Sequence, residues 1–354
     1  MDKWYKLVKA GVKRSVILRV MNEFENYEDI FKYSAEELGE NYNLKAETVY
    51  MILNSEKEEI ESEYEKYEKK GISLISLKDK KYPKLLKNIS NPPVFIYVKG
   101  KKEISEKTIG VVGTRKISSY GSSVTEKIVR ELIGSGITVV SGLALGVDGI
   151  AHEQSLKCKG ETVAVVGTGL DVVYPYENKK IWERVEREGT IISEYPLGTE
   201  AARWTFPERN RIIVGLSKGI LITESYKRGG ALITGKIALD ENRELFAVPG
   251  NIYYPSCEGC NDLIKKGEAK LITSVEDILE EFNWDKINPA KKKIELQLSW
   301  KEEQIYTNLN EAKGIDDLID EVKMSAKEIL IAITTLELKG AVKSMPGGKY
   351  RRAE

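Results

Sequence analysis

Between residues 107 and 282, short apolar runs rich in β-branched residues alternate with segments of helical periodicity. Runs of this kind are typical of parallel strands buried on both faces, and parallel neighbours need a crossover helix between them. The alternation therefore predicts an α/β fold with a doubly wound, mostly parallel sheet and helices on both faces. The predicted strands are Ile109–Val112, Thr138–Val140, Val163–Val166, Ile191–Ser193, Ile220–Thr223 and Leu245–Val248.

The chain before this region indicates further helices and strands. Residues 1–70 show helical spacing, with a capping-box pattern from Ser34 to Glu37. We predict a helical N-terminal domain at 1–70, similar to SAM or helix-hairpin-helix domains, and a Rossmann-like domain at 71–282. Two apolar runs at the start of the second domain are interpreted as strands joined by a short helix, namely Ile72–Leu77 and Val94–Val98.

The C-terminal part indicates a third domain. A linker is predicted at 283–298, and residues 299–354 show three helical segments followed by a basic hairpin, which is the winged-helix layout. Winged helices bind DNA or proteins, and the motif by itself leaves both possibilities open. The helical segments are Trp300–Leu309, Ile315–Val322 and Ser325–Leu338, and the predicted turn is Pro346-Gly347-Gly348, beside Lys349, Arg351 and Arg352.

The charge balance and the cysteine count exclude several classes of protein. The 55 Lys and Arg residues equal the 55 Asp and Glu residues, so any nucleic acid must be held by a local basic patch rather than by bulk charge. Three cysteines do not make a disulfide framework, and reduced cytosol is the natural compartment. Neither a signal peptide nor a membrane-spanning run is visible, so we expect a cytoplasmic protein without a membrane partner.

Glycine-rich turns follow three of the predicted strands. Parallel strands present their carboxyl ends at one edge of the sheet, which is where such folds bind ligands. Glycine lets the backbone approach an anion, free amides there can hold a phosphate, and an arginine adds a planar fork of donors. The turns predict a phosphate site formed by Gly113, Thr114 and Arg115, by Ser141 and Gly142, and by Gly167 and Gly169.

A second basic segment lies between residues 203 and 228. Aromatic residues interleaved with basic ones can stack bases while cations contact the backbone. In the alternative interpretation, Trp204 and Phe206 are core residues and the arginines pair with Glu208 and Glu224; composition favours neither. The segment holds six basic residues against two acids, with Trp204, Phe206 and Tyr226 between them: Arg203, Arg209, Arg211, Lys218, Lys227 and Arg228.

Known cofactor and catalytic motifs are incomplete. Val172 stands where the dinucleotide fingerprint needs its third glycine, and Ile237 stands where a P-loop beginning at Gly230 needs a hydroxyl for Mg²⁺. His152, the only histidine, has no partner for a metal or a triad, and we interpret it as structural or phosphate-side. Cys257-x-x-Cys260 is half a zinc site. We predict no catalytic residue, no metal and no cofactor.

Several sequence motifs occur in a fixed order between about residues 80 and 280. They are Gly110-Val-Val-Gly-Thr-Arg115 with Tyr120-Gly121, Ser141-Gly-Leu-Ala144 to Asp148 with Ala151-His152, Gly167-Thr-Gly-Leu-Asp171 with Tyr174-Pro175 and Asn178, Ser193-Glu-Tyr-Pro196, Phe206-Pro207, Arg209-Asn-Arg-Ile-Ile213 and Gly215-Leu-Ser217, Gly230-Ala-Leu-Ile-Thr234, and Phe246-Ala-Val-Pro-Gly250. Their order and spacing are specific, and together they resemble the DprA/Smf family of bacterial DNA-processing proteins.

The resemblance implies a homodimer that binds single-stranded DNA in a basic pocket, protects incoming DNA during natural transformation and loads a RecA-type recombinase, with no enzymatic step. Arg115 would contact DNA, and Asn210 and Arg211 would line or brace the pocket. Leu145 and Tyr176 depart from positions that are often basic in the family. The predicted DNA- and phosphate-binding residues are Gly113, Thr114, Arg115, Ser141, Gly142, Gly167, Gly169, Lys179, Arg209, Asn210, Arg211, Lys227 and Arg228.

Two other functions fit parts of the sequence. A nucleotide-binding sensor or a nucleoside-phosphate-processing enzyme could use the same glycine-rich turns. A transcriptional regulator would instead act through the winged helix and would prefer duplex DNA.

Overall fold

The computed structural model describes residues 1–100, 103–284, 298–339, 341–345 and 348–352. Its internal contacts divide the chain into two compact units between residues 287 and 288. Most of the linker predicted at 283–298 lies outside the described residues. Each unit is described by itself.

The first unit is built on one sheet. All six strands predicted between 107 and 282 are present within a residue or two, because each is a short apolar run buried on both faces. In the described residues its strands are β1 (Ile72–Ser76), β2 (Phe95–Gly100), β3 (Thr108–Val112), β4 (Thr138–Ser141), β5 (Thr162–Val166), β6 (Thr190–Ser193), β7 (Gly219–Ile222), β8 (Glu244–Ala247) and β9 (Lys270–Leu271).

The sheet order is β1-β2-β6-β5-β4-β3-β7-β8-β9. Strands β3 to β9 pair in parallel, whereas β2 runs antiparallel to both β1 and β6. The chain winds outward from β3 to β6 and then returns to place β7 on the other side of β3. Successive connections therefore leave in opposite directions between β3 and β7, which is the topological switch point where doubly wound sheets bind ligands.

Helices cover both faces of this sheet, which confirms the predicted Rossmann-like fold class. The helices that follow β1 are α6 (Lys84–Lys87), α7 (Ser119–Gly134), α8 (Val147–Lys157), α9 (Lys179–Glu188), α10 (Thr205–Gly215), α11 (Ala231–Asp240), α12 (Glu258–Lys265) and α13 (Glu276–Glu281). Ile109 and Val111 of β3 pack against α7 and α13 on one face, while Val112 joins the core shared with α10 and α11 on the other.

The N-terminal helices share the sheet's hydrophobic core. The Tyr5 hydroxyl lies 3.1 Å from the Tyr97 hydroxyl of β2, and Arg14 forms an ion pair with Glu194 at 3.0 Å. Since the core is continuous across residue 70, the domain boundary placed there stays a prediction. These helices are α1 (Tyr5–Lys9), α2 (Arg14–Glu23), α3 (Ala35–Asn41), α4 (Ala46–Asn54) and α5 (Glu61–Lys69), and the capping box predicted at Ser34 is present on α3.

The second unit has the predicted winged-helix layout. Its helices enclose a small core that includes Ile305, Leu318, Ile329 and Ile333. The two strands pair antiparallel, and residues 346–347 of the predicted turn lie outside the described part of the chain. The elements are α14 (Trp300–Asn308), α15 (Ile315–Val322), α16 (Ala326–Leu338), β10 (Val342–Met345) and β11 (Lys349–Arg352).

Candidate nucleic-acid interface

A cavity of about 420 Å³, including its open mouth, lies at the carboxyl ends of β3, β4 and β5. The three predicted glycine-rich turns each contribute to its wall or its support, so the topology brings them together as expected. Aromatic and aliphatic side chains form most of the wall, and two guanidinium groups face it. The lining residues are Arg115, Gly142, Ala144, Leu145, Val166, Gly167, Thr168, Tyr174, Pro175, Phe206 and Arg209.

Arg115 is the exposed cation of this cavity. Its guanidinium carbon lies 5.4 Å from the ring centroid of Phe206, a cation–π distance. Within the parts of the chain that the structure describes, no ion pair involves Arg115. Its five N–H donors therefore remain available to a ligand, and a planar guanidinium suits a phosphodiester.

A second, wider cavity of about 1040 Å³ adjoins the first at the topological switch point. Arg115, Phe206 and Arg209 line both cavities, so the two form one continuous surface. Thr114 and Lys116 after β3, Tyr226 and two glycines after β7, and residues of α10 and α11 line it. Residues found in this cavity's wall alone include Gly113, Thr114, Lys116, Asp148, Pro207, Asn210, Tyr226, Gly229, Gly230, Ile233 and Thr234.

Two buried charges hold the turn after β4 in place. The Asp148 carboxylate accepts the amide proton of Gly142 at 3.1 Å, and the Arg209 guanidinium donates to the Gly142 carbonyl oxygen at 2.5 Å. Burial raises the pKa of Asp148, opposed by the charge of Arg209. Burial also lowers the pKa of Arg209 to about 10, so the guanidinium stays protonated at neutral pH.

Glycine is required twice in this turn. A Cβ on Gly142 would lie 2.1 Å from Nη1 of Arg209, which leaves no room for a side chain. Gly146 has φ of +76°, and a Cβ there would lie 2.2 Å from the Thr114 carbonyl oxygen. The turn therefore approaches a buried guanidinium and the neighbouring loop more closely than any residue with a side chain could.

The amides of three predicted site residues are already engaged. Gly142 donates to Asp148 at 3.1 Å, Gly169 donates to the Thr199 carbonyl at 2.9 Å, and Thr114 donates to the Glu224 carbonyl at 2.8 Å. The expectation that these amides are free to hold a phosphate is wrong, because internal oxygens satisfy them. The Ser141 hydroxyl likewise donates to the Val111 carbonyl at 2.6 Å. Whether these residues contact DNA through other atoms stays a prediction.

Arg211 lies away from the cavities that Arg209 lines. Residues two apart on a helix point roughly 200° apart at ~100° per residue, so the two side chains leave α10 on opposite sides. The Arg211 guanidinium pairs with Glu194 and donates to the Asn91 carbonyl. Arg211 thus connects α10 to neighbouring segments. Of the two predicted roles, this geometry fits bracing the pocket and not lining it.

The remaining predicted cations are exposed beside the cavities without lining them. Lys179 begins α9, with Nζ 5.5 Å from the Tyr176 ring centroid and 3.9 Å from a Glu183 oxygen. Lys227 and Arg228 stand exposed on the loop between Tyr226 and Gly229, both of which line the wider cavity. Contact between these three side chains and a ligand stays a prediction.

Sequence reasoning omitted several wall residues. Phe206 and Tyr174, whose rings lie 5.4 Å apart, were not among the predicted site residues, although both stand in the motifs that carry the resemblance. The interpretation of Trp204 as a core residue is wrong, because 59% of its surface is exposed. The signal that could have indicated Tyr174 as a wall residue is its position shortly after the glycine-rich turn Gly167–Asp171.

The incomplete motifs form no further site in the described residues. His152 is buried with Nδ1 2.8 Å from the Thr162 hydroxyl, and burial together with the charge of Arg209 lowers its pKa to about 3. The P-loop-like segment is helical from Ala231 onward and so makes no loop around a phosphate. No group of His, Cys, Asp and Glu suited to a metal occurs among the described residues. None of the helices in that part of the chain combines the length and apolarity that a membrane crossing needs.

Fold and site together define a Rossmann-like α/β protein with a basic, aromatic-walled cavity at the switch point of its sheet. The family model described as DNA recombination-mediator protein A matches residues 73–283, and the model of the DprA winged helix domain matches residues 289–348. The chain belongs to the DprA/Smf family.

Relatives of this family align with most of the chain. It is 32% identical to protein Smf of Synechocystis sp. over 97% of this chain and 96% of that protein. It is 41% identical to the DNA processing protein DprA of Bacillus subtilis, over 64% of this chain and 79% of that protein. The identity to DprA of Streptococcus pneumoniae is 35%, over 79% of this chain and 97% of that protein.

Two solved structures share the fold. DNA processing protein A from Streptococcus pneumoniae superimposes with a TM-score of 0.69 at 33% identity, covering 79% of this chain and 98% of that one. DNA processing protein A from Helicobacter pylori, whose structure concerns its single-stranded DNA binding mode, superimposes with a TM-score of 0.55 at 28% identity, covering 60% and 95%.

Proposed function

We propose that this chain binds single-stranded DNA across the two joined cavities and delivers it to a RecA-type recombinase, without catalysing a reaction. The observation that carries the proposal is Arg115: an exposed guanidinium with no carboxylate partner in the described residues, over an aromatic ring at the switch point of the sheet. An unpaired arginine in that position suits an anionic ligand.

The wall of the cavities favours a single strand. Phe206 and Tyr174 present aromatic faces beside Arg115, and Tyr226 lines the adjoining cavity. Stacking on aromatic side chains needs bases that are not already stacked in a duplex, and it is tolerant of sequence. A DNA binder with this wall binds unpaired strands with little sequence preference.

The same wall offers little to an enzyme. Of the described residues that line the two cavities, the one carboxylate is Asp148, which is buried and accepts hydrogen bonds from the turn after β4. A general acid or base must reach a substrate atom, and this carboxylate is enclosed by its own turn. Binding without turnover therefore fits better than the nucleotide-processing alternative.

The winged helix carries mixed charges. Asp316, Asp317 and Asp320 are exposed on α15, whereas Lys327 and the apolar Leu330 and Ile331 are exposed on α16, the helix that enters the major groove in DNA-reading members of this motif. Exposed apolar side chains on that helix offer no partner to a phosphate. We therefore rank the regulator alternative below binding at the Arg115 cavities.

Delivery to a recombinase, homodimer formation, action in natural transformation and cytoplasmic location rest on family membership. The relatives named above support the DNA-processing class, and the Helicobacter pylori structure supports single-stranded DNA as the ligand of that protein.

A binding titration tests the proposal. We expect the full chain to bind oligothymidylate of about 20 nucleotides more tightly than a duplex of equal length, with affinity that falls as salt rises. Arg115→Ala should weaken binding to every sequence alike and reduce the salt slope by about one. Arg130→Ala, an exposed arginine near the other end of α7, is the matched control.

Equal affinity of the Arg115→Ala variant and the parent would refute the pocket. Release of free base from a nucleoside monophosphate would instead favour the enzyme alternative. A recombinase filament assay with parent and variant proteins separates DNA binding from delivery.

A further inference from the structure

Three consecutive apolar side chains project from the loop after β8. Ile252, Tyr253 and Tyr254 are 78%, 84% and 57% exposed. Single exposed apolar residues are ordinary, but a contiguous set of large ones marks a binding surface. We call this segment the aromatic loop.

The aromatic loop is held rigidly at its base. Gly250 and Asn261 exchange two hydrogen bonds, each of 3.0 Å, and the Tyr120 hydroxyl donates to the Pro249 carbonyl at 2.6 Å. At the tip, the Tyr253 amide donates to the Asn251 side chain at 2.9 Å. These hydrogen bonds fix the backbone of the loop, which reduces the ordering cost when a ligand binds.

The aromatic loop lies at the same edge of the sheet as the loops that form the proposed DNA site. Strands β3, β7 and β8 are neighbours in the sheet, so their carboxyl ends span only about 10 Å at ~4.8 Å per strand. Arg115 and Lys116 follow β3, Tyr226 follows β7, and the aromatic loop follows β8. The first turn of α12 donates to the Ser225 carbonyl at 2.8 Å through the Gly259 amide, which joins the last two loops.

The charges of these loops match a polyanion. Residues 226–230 and 249–257 contain two basic residues, Lys227 and Arg228, and no acid; the acids that flank them are Glu224, which is buried, and Glu258 at the start of α12. Both cations are exposed. Aromatic rings beside exposed cations are the combination that stacks bases while neutralising the backbone.

We infer that the aromatic loop is a second base-stacking subsite, which receives the strand after it leaves the Arg115 cavities and passes Lys227 and Arg228. The inference rests on the proposed function and extends it: short oligonucleotides fill the Arg115 cavities alone, and longer ones also contact Tyr253 and Tyr254.

Anisotropy titrations of the full chain with labelled oligothymidylates of about 2 and about 20 nucleotides test this subsite, because two nucleotides at ~3.4 Å each are too short to span the ~10 Å between the ends of β3 and β8. The double variant Tyr253→Ala and Tyr254→Ala should bind the long oligonucleotide at least about tenfold more weakly, the equivalent of ~1.4 kcal/mol or one stacked base. Its affinity for the short one should equal that of the parent. The Tyr253→Phe and Tyr254→Phe double variant keeps both rings and should retain both affinities.

Tyr50→Ala is the matched control, since this tyrosine of α4 is 69% exposed and distant in sequence from the cavities. Parental affinity of the alanine double variant for the long oligonucleotide overturns the subsite. A change in its mass by light scattering with unchanged DNA affinity also overturns it and identifies the loop as a contact between copies of the chain. Arg115→Ala tests the Arg115 pocket independently of the aromatic loop. If this variant binds the short oligonucleotide as tightly as the parent does, the Arg115 pocket is refuted, whatever the loop variants do.

Discussion

The carboxylate of Asp148 accepts the amide proton of Gly142 at 3.1 Å, so an internal anion binds the turn that a phosphate was expected to occupy. Arg209 completes the arrangement by donating to the carbonyl oxygen of the same glycine. The turn is therefore preformed before any ligand arrives, and the charge left for DNA is the guanidinium of Arg115.

Replacing Asp148 tests this internal anion. Asp148→Asn should lower the free energy of unfolding by about 2 kcal/mol, because an amide nitrogen in place of one carboxylate oxygen leaves a buried backbone N–H of the turn without an acceptor. Urea denaturation measures the change. Asp240→Asn, at an exposed site on α11, should leave stability within about 0.5 kcal/mol, and equal stability of the two variants would contradict the role of Asp148.

The two glycines Gly142 and Gly134 should respond in opposite ways to alanine. Gly142→Ala forces a Cβ to within 2.1 Å of Arg209 and should destabilise the protein by roughly 1–3 kcal/mol. Gly134→Ala, in the last turn of α7, meets nothing within 4 Å and should be neutral or stabilise by about 0.5 kcal/mol. Thermal unfolding compares them, and a harmless Gly142→Ala would mean that the turn can move off Arg209.

His152 should make folding sensitive to acid. Its pKa in the folded protein, about 3, lies below its ordinary value of 6.5, so the unfolded chain binds the proton first as the pH falls. The free energy of unfolding should therefore fall by about 1.4 kcal/mol for each pH unit below pH ~6.5.

Asp148 contributes a slope of opposite sign, since its pKa is raised. The measurement is therefore the difference in pH dependence between the parent and His152→Gln, which both retain Asp148. Urea denaturation between pH 7 and pH 5 should give a flatter profile for the variant. Identical slopes would show that the protonated imidazole is accommodated in the folded state.

Removal of the winged helix should spare single-strand binding. A chain ending at Trp284 retains every residue that lines the two cavities, so its affinity for oligothymidylate should stay within about threefold of the full chain. Electrophoretic mobility shift with single- and double-stranded oligonucleotides compares the two chains. A complete loss of binding would indicate that the DNA site lies in residues 298–354 and would favour the regulator alternative.

Local sequence patterns predicted the strands and the winged helix closely. Thr162–Val166 is a buried strand because a run of β-branched residues packs well on a pleated, buried sheet, and Ser34 caps α3 through contacts within four residues. By contrast, the short strand β9 was not predicted, since two exposed residues carry no pattern.

Local periodicity and the rules of parallel connection were sufficient to predict the sheet, its helices and the convergence of the glycine-rich turns at one edge. Which donors are available at that edge could be seen only in the folded chain. Arg115, Arg209 and Arg211 are chemically alike in the sequence, yet one is exposed, one binds main-chain carbonyls and one pairs with Glu194. The difference arises from helix phase and from oxygens contributed by segments distant in the chain, which no local pattern encodes.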